Sequence, residues 1–117
     1  ALYRDAIACG LEPLVEAHTA EELRWARDLG AKLVGINNRD ILALEKDGGT
    51  VSTTSLLAAG RPEGSLLVSE SGIRTPADVR AALTAGADAV LVGTAIWQAE
   101  DPVAFYRELS TAEGKSK

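Results

Sequence analysis

Two short apolar runs with a helix-like stretch between them, within residues 66–96, show how the chain is organised. The runs cover residues 66–68 and 89–92. The stretch between them has clear helix signals, with Thr75 as N-cap, proline at the next position and Gly86 as the stop. Strand, helix and strand in this order predict a βαβ unit, and such units build parallel sheets.

The rest of the sequence repeats this alternation. Apolar runs of strand length lie at 13–17, 32–37, 66–68 and 89–92. Helices are expected at the start of the chain and after each strand, at 1–9, 19–29, 53–59, 75–85 and 101–109, with a brief helical turn at 94–98. Thr19 and Glu22 have the spacing of a capping box, in which each side chain accepts from the backbone amide of the other residue. The pattern is therefore the end of a helix followed by four βα units.

Repeated βα units predict the α/β class and a (β/α)8 TIM barrel. An open doubly wound sheet is the alternative, but no G-x-G-x-x-G motif follows any strand and no change in connection length marks a switch point. Because a barrel needs eight strands, the four found here predict a half-barrel over residues 1–111, followed by a polar tail at 112–117 that we expect to be disordered. Its two unpaired strand edges and open inner face predict association with a complementing half-barrel or with a second copy.

Composition narrows the class of protein. The chain has 117 residues, of which 46% are apolar and 25% are charged, as in soluble globular domains. A net charge of −5 and a pI near 4.8 argue against a nucleic-acid partner or an anionic membrane surface. No apolar run reaches the roughly 18 residues of a membrane span. Since the chain lacks Met and opens on a helix-like sequence, we expect it to be a piece of a longer protein.

The remaining single residues predict little chemistry of their own. Cys9 is the only cysteine, so an internal disulfide is excluded, and we expect it to serve packing in a reducing cytoplasm. One histidine and one cysteine offer too few ligands for a metal site, so no metal is expected. His18 is expected to be a loop residue, and Trp25 and Trp97 to serve core or interface packing.

Polar residues follow the predicted strands, where parallel α/β folds carry their chemistry. Glu16 and Glu70 have apolar residues before them, and such carboxylates can act as general bases, orient a lysine, cap a helix or form an ion pair. A polar cluster, Asn37-Asn38-Arg39, ends another strand, where Arg39 can bind a phosphate or carboxylate, or be an ordinary surface residue. Ser71 has no G-x-S-x-G context, so we expect hydrogen bonding rather than nucleophilic attack.

Glycines after the third and fourth strands predict a phosphate site. If these strands are the last two of a barrel, Gly72, Gly93 and Thr94 occupy the position at which TIM barrels bind phosphate. Glycine lets backbone amides approach a phosphate closely. The alternative is that these glycines only permit tight turns.

Four segments together resemble one enzyme family. PLVEAHT, KLVGINNRD, LLVSESGIRTPADV and GADAVLVGTAI stand in this order. They closely resemble the second half of indole-3-glycerol-phosphate synthase, a tryptophan-biosynthesis enzyme, and the likeness runs from Leu2 to Leu109. The G-I-N-x-R and E-S-G-I motifs are specific to it, whereas the G-A-D-A-V-L-V-G-like ending occurs in other phosphate-binding barrels.

The resemblance implies an activity and a set of residue roles. The family is a carbon–carbon lyase that closes the indole ring of a carboxyphenylamino-deoxyribulose phosphate with loss of carbon dioxide and water, without a cofactor. By this resemblance the matching positions divide into a catalytic set and a phosphate-binding set. The catalytic set is Glu16, Asn37, Glu70 and Ser71, and the phosphate-binding set is Arg39, Gly72, Gly93 and Thr94. Thr94 stands where the family more often has Ser, and it keeps the hydroxyl group.

The family's catalytic lysines lie on strands one and three of the barrel, and neither Lys32 nor Lys46 matches them. We therefore expect no turnover by this chain alone, because loss of cooperating groups removes much of the barrier lowering in an enzyme. One alternative is a non-catalytic, phosphate-binding or self-assembling half-barrel. Another is a different phosphate barrel such as a phosphoribosyl isomerase, for which a strand-end Asp or Cys pair would be expected and Glu16 with Asn37 fits poorly.

Overall fold

In a computed structural model of the chain, the structure describes residues 2–38 and 52–112. Helices and strands alternate along these residues. The strands are β1 Val15–Ala17, β2 Leu33–Asn37, β3 Leu66–Glu70 and β4 Ala89–Leu91. The α-helices are α1 Leu2–Ala8, α2 Ala20–Leu29, α3 Ser52–Leu57, α4 Pro76–Ala85, α5 Thr94–Gln98 and α6 Pro102–Ser110, with a 3-10 turn at Ala58–Gly60.

The four strands form one parallel sheet in the order β1-β2-β3-β4. Neighbours in sequence are neighbours in space, which is the strand order of a (β/α) barrel and not that of a doubly wound sheet. The register pairs Glu16 with Gly35, Asn37 with Glu70, and Glu70 with Leu91. The predicted half of a barrel is therefore confirmed as four parallel βα units, preceded by the end of a helix.

Two helices begin at the predicted capping residues, but only one capping box is complete. Thr75 and Asp78 each cap the other's backbone amide at the start of α4. At the start of α2, Thr19 accepts from the Glu22 amide at 3.1 Å, as predicted. The reciprocal bond was predicted wrongly, because the Glu22 carboxylate instead accepts from the backbone amide of His18 at 2.6 Å.

The helices cover one face of the sheet and form two apolar clusters with it. Successive residues of a strand point to opposite faces, and Val34, Ile36 and Leu67 point to the helix side. They pack with α2 in the first cluster, made of Ala17, Leu23, Ala26, Ala31, Val34, Ile36, Ala58 and Leu67. The second cluster joins α4 and α6 and contains Ile73, Val79, Ala82, Ala87, Leu109 and Ala112.

The opposite face of the sheet, here called the inner face, is partly open. Leu66 and Leu91 point to it and are 58% and 53% exposed. In a closed barrel this face is filled by side chains from all the strands. The apolar inner face expected from the sequence is thus present and lacks cover from the described residues.

The packing prediction for Cys9 was wrong, because Cys9 lies exposed after α1. Trp25 and Trp97 are 57% and 80% exposed, so neither belongs to the core, and packing at an interface stays the prediction for both. Hydrophobic periodicity predicts which side of a helix faces the core. It does not predict how far the neighbouring elements extend over that side. No helix within residues 2–38 and 52–112 is long and apolar enough to span a membrane.

Candidate active site

Three polar side chains meet at the carboxyl ends of β1, β2 and β3. Glu16 pairs with Gly35, two residues before Asn37, and Asn37 pairs with Glu70 on the next strand. Because their side chains point to the inner face, the amide Nδ2 of Asn37 donates a hydrogen bond to Oε2 of Glu16. The parallel register thus brings together three residues that are 54 positions apart at most in the sequence.

Glu70 is buried although it lies on the inner face. Only 7% of the residue is exposed, and its Oε2 has no hydrogen-bond partner among the described residues. Its carboxyl group lies directly over the backbone of Gly35, where a Cβ atom would approach Glu70 Oε2 to 1.8 Å and Cδ to 2.8 Å. The absence of a side chain at position 35 therefore creates the space that this carboxyl group occupies.

This environment raises the pKa of Glu70 to about 7. Loss of hydration on burial is the largest cause of the raised pKa, followed by the negative charge of Glu16 and a hydrogen bond with it. His18 acts in the opposite direction, since its positive charge would favour the ionised carboxylate. A carboxyl group with this pKa can both give and take a proton near neutral pH, as a general acid or base requires.

His18 lies in the loop between β1 and α2, as expected, and it joins this cluster. Its Nδ1 lies 3.3 Å from Oε1 of Glu22, and its Nε2 lies 4.0 Å from Oε2 of Glu16. Nε2 is buried without a hydrogen-bond partner among the described residues. The spacing of His18 two residues after Glu16 and four before Glu22 was the available signal, because it places the imidazole ring between two carboxylates.

Ser71 and Gly72 form a left-handed corner directly after β3. Their φ angles are 67° and 77°, and Ser71 is the one non-glycine residue with positive φ in the described part of the chain. The pairing of Glu70 with Leu91 places Gly72 and Gly93 two residues beyond matched positions on adjacent strands. Gly93 is the N-cap of α5, which begins at Thr94. Adjacent turns thus carry three of the four positions expected at a phosphate site, whereas Arg39 lies outside the described residues.

A buried polar network lies behind these residues, on the helix side of the sheet. It consists of Asn38, Thr54 and Ser69, each at most 5% exposed. Asn38 was predicted only as part of the polar cluster at the end of a strand, and no role was predicted for Thr54 or Ser69. Polar residues at two strand ends were visible, but their convergence with the start of α3 depends on the fold. The described residues contain no group of three or more His, Cys, Asp or Glu side chains that could hold a metal ion.

Comparisons with known proteins agree on one family. A sequence profile described as indole-3-glycerol phosphate synthase matches residues 1–109. The indole-3-glycerol phosphate synthase of Pyrococcus furiosus is 47% identical over 104 residues, which cover 89% of this chain and 45% of that protein. The multifunctional tryptophan biosynthesis protein of Schizosaccharomyces pombe is 47% identical over 108 residues, or 92% of this chain and 14% of that protein. The chain thus spans less than half the length of these curated relatives.

Solved structures support the fold independently. A 3-hexulose-6-phosphate synthase superposes with a TM-score of 0.75 at 24% identity, covering 97% of this chain and 55% of that chain. A chain of the Amycolatopsis orientalis BexX/CysO complex gives a TM-score of 0.72 at 23% identity, covering 94% of this chain and 44% of that chain. At these identities the likeness shows only the barrel architecture. The profile match over most of the chain and the relatives at 47% identity together show that this chain belongs to the indole-3-glycerol phosphate synthase family.

Proposed function

We propose that this chain contributes the carboxy-terminal half of an indole-3-glycerol phosphate synthase active site. The observation that carries the proposal is the meeting of Glu16, Asn37 and Glu70 at one edge of the sheet, with the pKa of Glu70 raised to about 7. The reaction closes the indole ring of a carboxyphenylamino-deoxyribulose phosphate and releases carbon dioxide and water. Both losses depend on proton transfer, which a carboxyl group poised near neutral pH can perform.

The roles divide along the sheet. Glu16 and Glu70 exchange protons with the substrate, while Asn37 orients the substrate and Ser71 donates a hydrogen bond to it. Gly72, Gly93 and Thr94 hold the phosphate group through backbone amides and a hydroxyl, and the charge of Arg39 adds to phosphate binding, as the resemblance implies. The pairing of β3 with β4 supports this division, because it puts the turns after both strands next to each other and beside Glu70.

The open inner face supports a partner. We propose that a complementing (βα)4 half, or a second copy of this chain, covers Leu66 and Leu91 and pairs with the free edges of β1 and β4. In this proposal the chain alone is inactive, since the lysine positions of the family are on the other half. The expected location is the cytoplasm, and no cofactor is required.

The test is to supply the other half. The chain is co-expressed with the amino-terminal half of the Pyrococcus furiosus relative, and the complex is assayed for indole-3-glycerol phosphate by the fluorescence of the new indole ring. We expect turnover from the complex, none from either half alone, and a loss of about 10²-fold or more in kcat for Glu70→Gln. A complex that binds inorganic phosphate but forms no indole would contradict the proposal and favour a non-catalytic phosphate-binding module.

A further inference from the structure

Asn38 makes the densest set of polar contacts among the described residues. It follows β2 directly, so its side chain turns to the side of the sheet opposite Asn37, and only 5% of the residue is exposed. Its Nδ2 lies 2.9 Å from each of three acceptors, which are Ser69 Oγ and the carbonyl oxygens of Glu70 and Ser71. Its Oδ1 accepts from the backbone amide of Thr54 at 3.0 Å and from the Thr54 hydroxyl at 2.9 Å.

These partners determine the orientation of the Asn38 amide group. A backbone N–H can only donate, so the atom facing the Thr54 amide must be the oxygen. Carbonyl oxygens can only accept, so the atom facing Glu70 and Ser71 must be the nitrogen. The assignment follows from groups that have no alternative role and does not depend on the placement of any hydroxyl hydrogen.

The same reasoning fixes the direction of every hydrogen bond in the cluster. Asn38 Oδ1 carries no hydrogen, so the Thr54 hydroxyl must donate to it. That uses the only proton on Thr54 Oγ1, so the 2.6 Å contact between Thr54 Oγ1 and Ser69 Oγ must be filled by the Ser69 proton. The Ser69 oxygen can then only accept from Asn38 Nδ2, whose two protons are shared among three acceptors. The three side chains thus form a ring of polar contacts, and hydrogen bonds in such a network polarise and strengthen one another.

The ring is attached to the backbone that carries the candidate catalytic groups. The carbonyl oxygen of Glu70 accepts from both the backbone amide of Asn38, at 2.8 Å, and its side chain, at 2.9 Å. The carbonyl oxygen of Ser71 accepts from the same side chain. Ser71 has a φ of 67°, which is unfavourable for a residue with a Cβ atom and persists only where its surroundings hold it. The hydrogen bond from the Asn38 side chain to the Ser71 carbonyl oxygen helps to hold this conformation.

We propose that Asn38 is a positioning residue, which acts through its ring with Thr54 and Ser69 to seat the Glu70 carboxyl group over Gly35 and to hold the left-handed corner at Ser71. Asn38 itself touches no substrate. The proposal rests on the proposed function only in treating Glu70 as a reacting group. The placement of Glu70 can be measured on the chain itself, without turnover, so either proposal can fail while the other stands.

The experiment follows the carboxyl carbon of Glu70 by ¹³C NMR through a pH titration of the 117-residue chain, with Glu70→Gln used to assign the signal. In Asn38→Ala the carboxyl group should leave its buried site, so its pKa should fall by about one unit or more towards the ordinary value of 4.5. Thr54→Val opens the ring from the other side and should lower the pKa in the same direction by a smaller amount. Thr54→Ser keeps the hydroxyl and should restore the wild-type value.

Ser65→Ala is the matched control. Ser65 is also buried, and its hydroxyl donates to the carbonyl oxygen of Pro62 at 2.6 Å, at the opposite end of β3. Its loss should lower stability without moving the pKa of Glu70. A folded Asn38→Ala protein with an unchanged Glu70 pKa would overturn the proposal. If Asn38→Ala does not fold, Thr54→Val decides, and an unchanged pKa there would overturn the proposal equally.

Discussion

At the two ends of the sheet, carboxyl groups have pKa values that are shifted in opposite directions. At the amino end, Asp88 precedes β4, and its Oδ2 accepts from Arg61 Nη1 at 2.6 Å and from the Leu67 amide at 2.9 Å. Burial raises the pKa of Asp88, but these hydrogen bonds and the charge of Arg61 outweigh it, so the pKa ends below its usual value of 3.8. At the carboxyl end, Glu70 is buried beside a second carboxylate, and its pKa rises to about 7.

This difference separates a carboxylate whose charge is satisfied from one whose pKa lies near neutral pH. Asp88 ties two strands together with its charge satisfied, whereas Glu70 keeps an oxygen without a partner among the described residues. Barrels of this fold place stability at the amino ends of the strands and chemistry at the carboxyl ends. Burial of Glu70 therefore lowers stability above neutral pH, while its carboxyl group stays protonated up to about pH 7.

Of the substitutions considered, Gly35→Ala should disrupt the cluster at the carboxyl ends of the strands most severely. The new Cβ atom would overlap Glu70 Oε2, and that atom ends a flexible side chain, so the carboxyl group should swing away while the strand remains in place. The pKa of Glu70 should then fall from about 7 towards 4.5. In the complemented enzyme, kcat should fall by about 10²-fold or more.

The control for this variant is Gly60→Ala. There a new Cβ atom meets only Leu23 Cδ2 at 3.4 Å, an ordinary contact distance. Activity and the Glu70 titration should both remain as in the wild type. If Gly35→Ala keeps full activity, Glu70 does not need its place over Gly35.

Glu70→Gln should stabilise the fold above neutral pH. Between pH 4.5 and about 7 the folded state holds a proton that the unfolded state has released, so the free energy of unfolding falls as pH rises through this window. Because a glutamine side chain does not titrate, Glu70→Gln removes this fall in the free energy of unfolding. We expect a gain of roughly 1–2 kcal/mol at pH 8, after allowance for screening by solvent, and no gain at pH 4. Urea unfolding at both pH values measures it, and an equal effect at both would contradict the assignment.

Asp88→Asn should have the smallest effect, and it should lower the free energy of unfolding where Glu70→Gln raises it. Asn retains an acceptor for the Leu67 amide but loses the ion pair with Arg61, which is partly exposed to solvent. We expect a loss of about 1 kcal/mol or less at pH 7. Because the folded-state pKa is lowered, the stabilisation is present above pH 3.8 and disappears as the pH falls through the folded value. Urea unfolding at pH 7 and pH 3 should therefore show the difference shrinking in acid.

The sequence predicted the fold more completely than it predicted the site. Local signals such as the Thr75–Asp78 capping box and the strand-to-strand alternation identified every element near its observed bounds. Polar strand ends identified Glu16, Asn37 and Glu70 as candidates. Their distances could not be inferred, because these depend on register between strands that are far apart in sequence.

Two features of the site had no local signal at all. The space for the Glu70 carboxyl group comes from Gly35, a glycine in the middle of the neighbouring strand that looks like an ordinary strand residue. The ring of Asn38, Thr54 and Ser69 joins two strand ends to a helix start, and nothing in the spacing of these residues predicts their contact. The predicted second capping bond of Glu22 was wrong for a related reason, because the backbone amide and the imidazole ring of His18 both contact the Glu22 carboxylate.

The most direct test of the contrast between the two ends is the titration of Glu70 in the wild-type chain. Carboxyl ¹³C shifts recorded from pH 3 to pH 9, with Glu70→Gln to identify the signal, report its pKa without any requirement for turnover. We expect a midpoint near 7 for Glu70, with the carboxyl group of Asp88 already ionised throughout the upper part of the range. A Glu70 midpoint near 4.5 would contradict it, because a carboxyl group with its ordinary pKa would be neither buried over Gly35 nor poised for proton transfer.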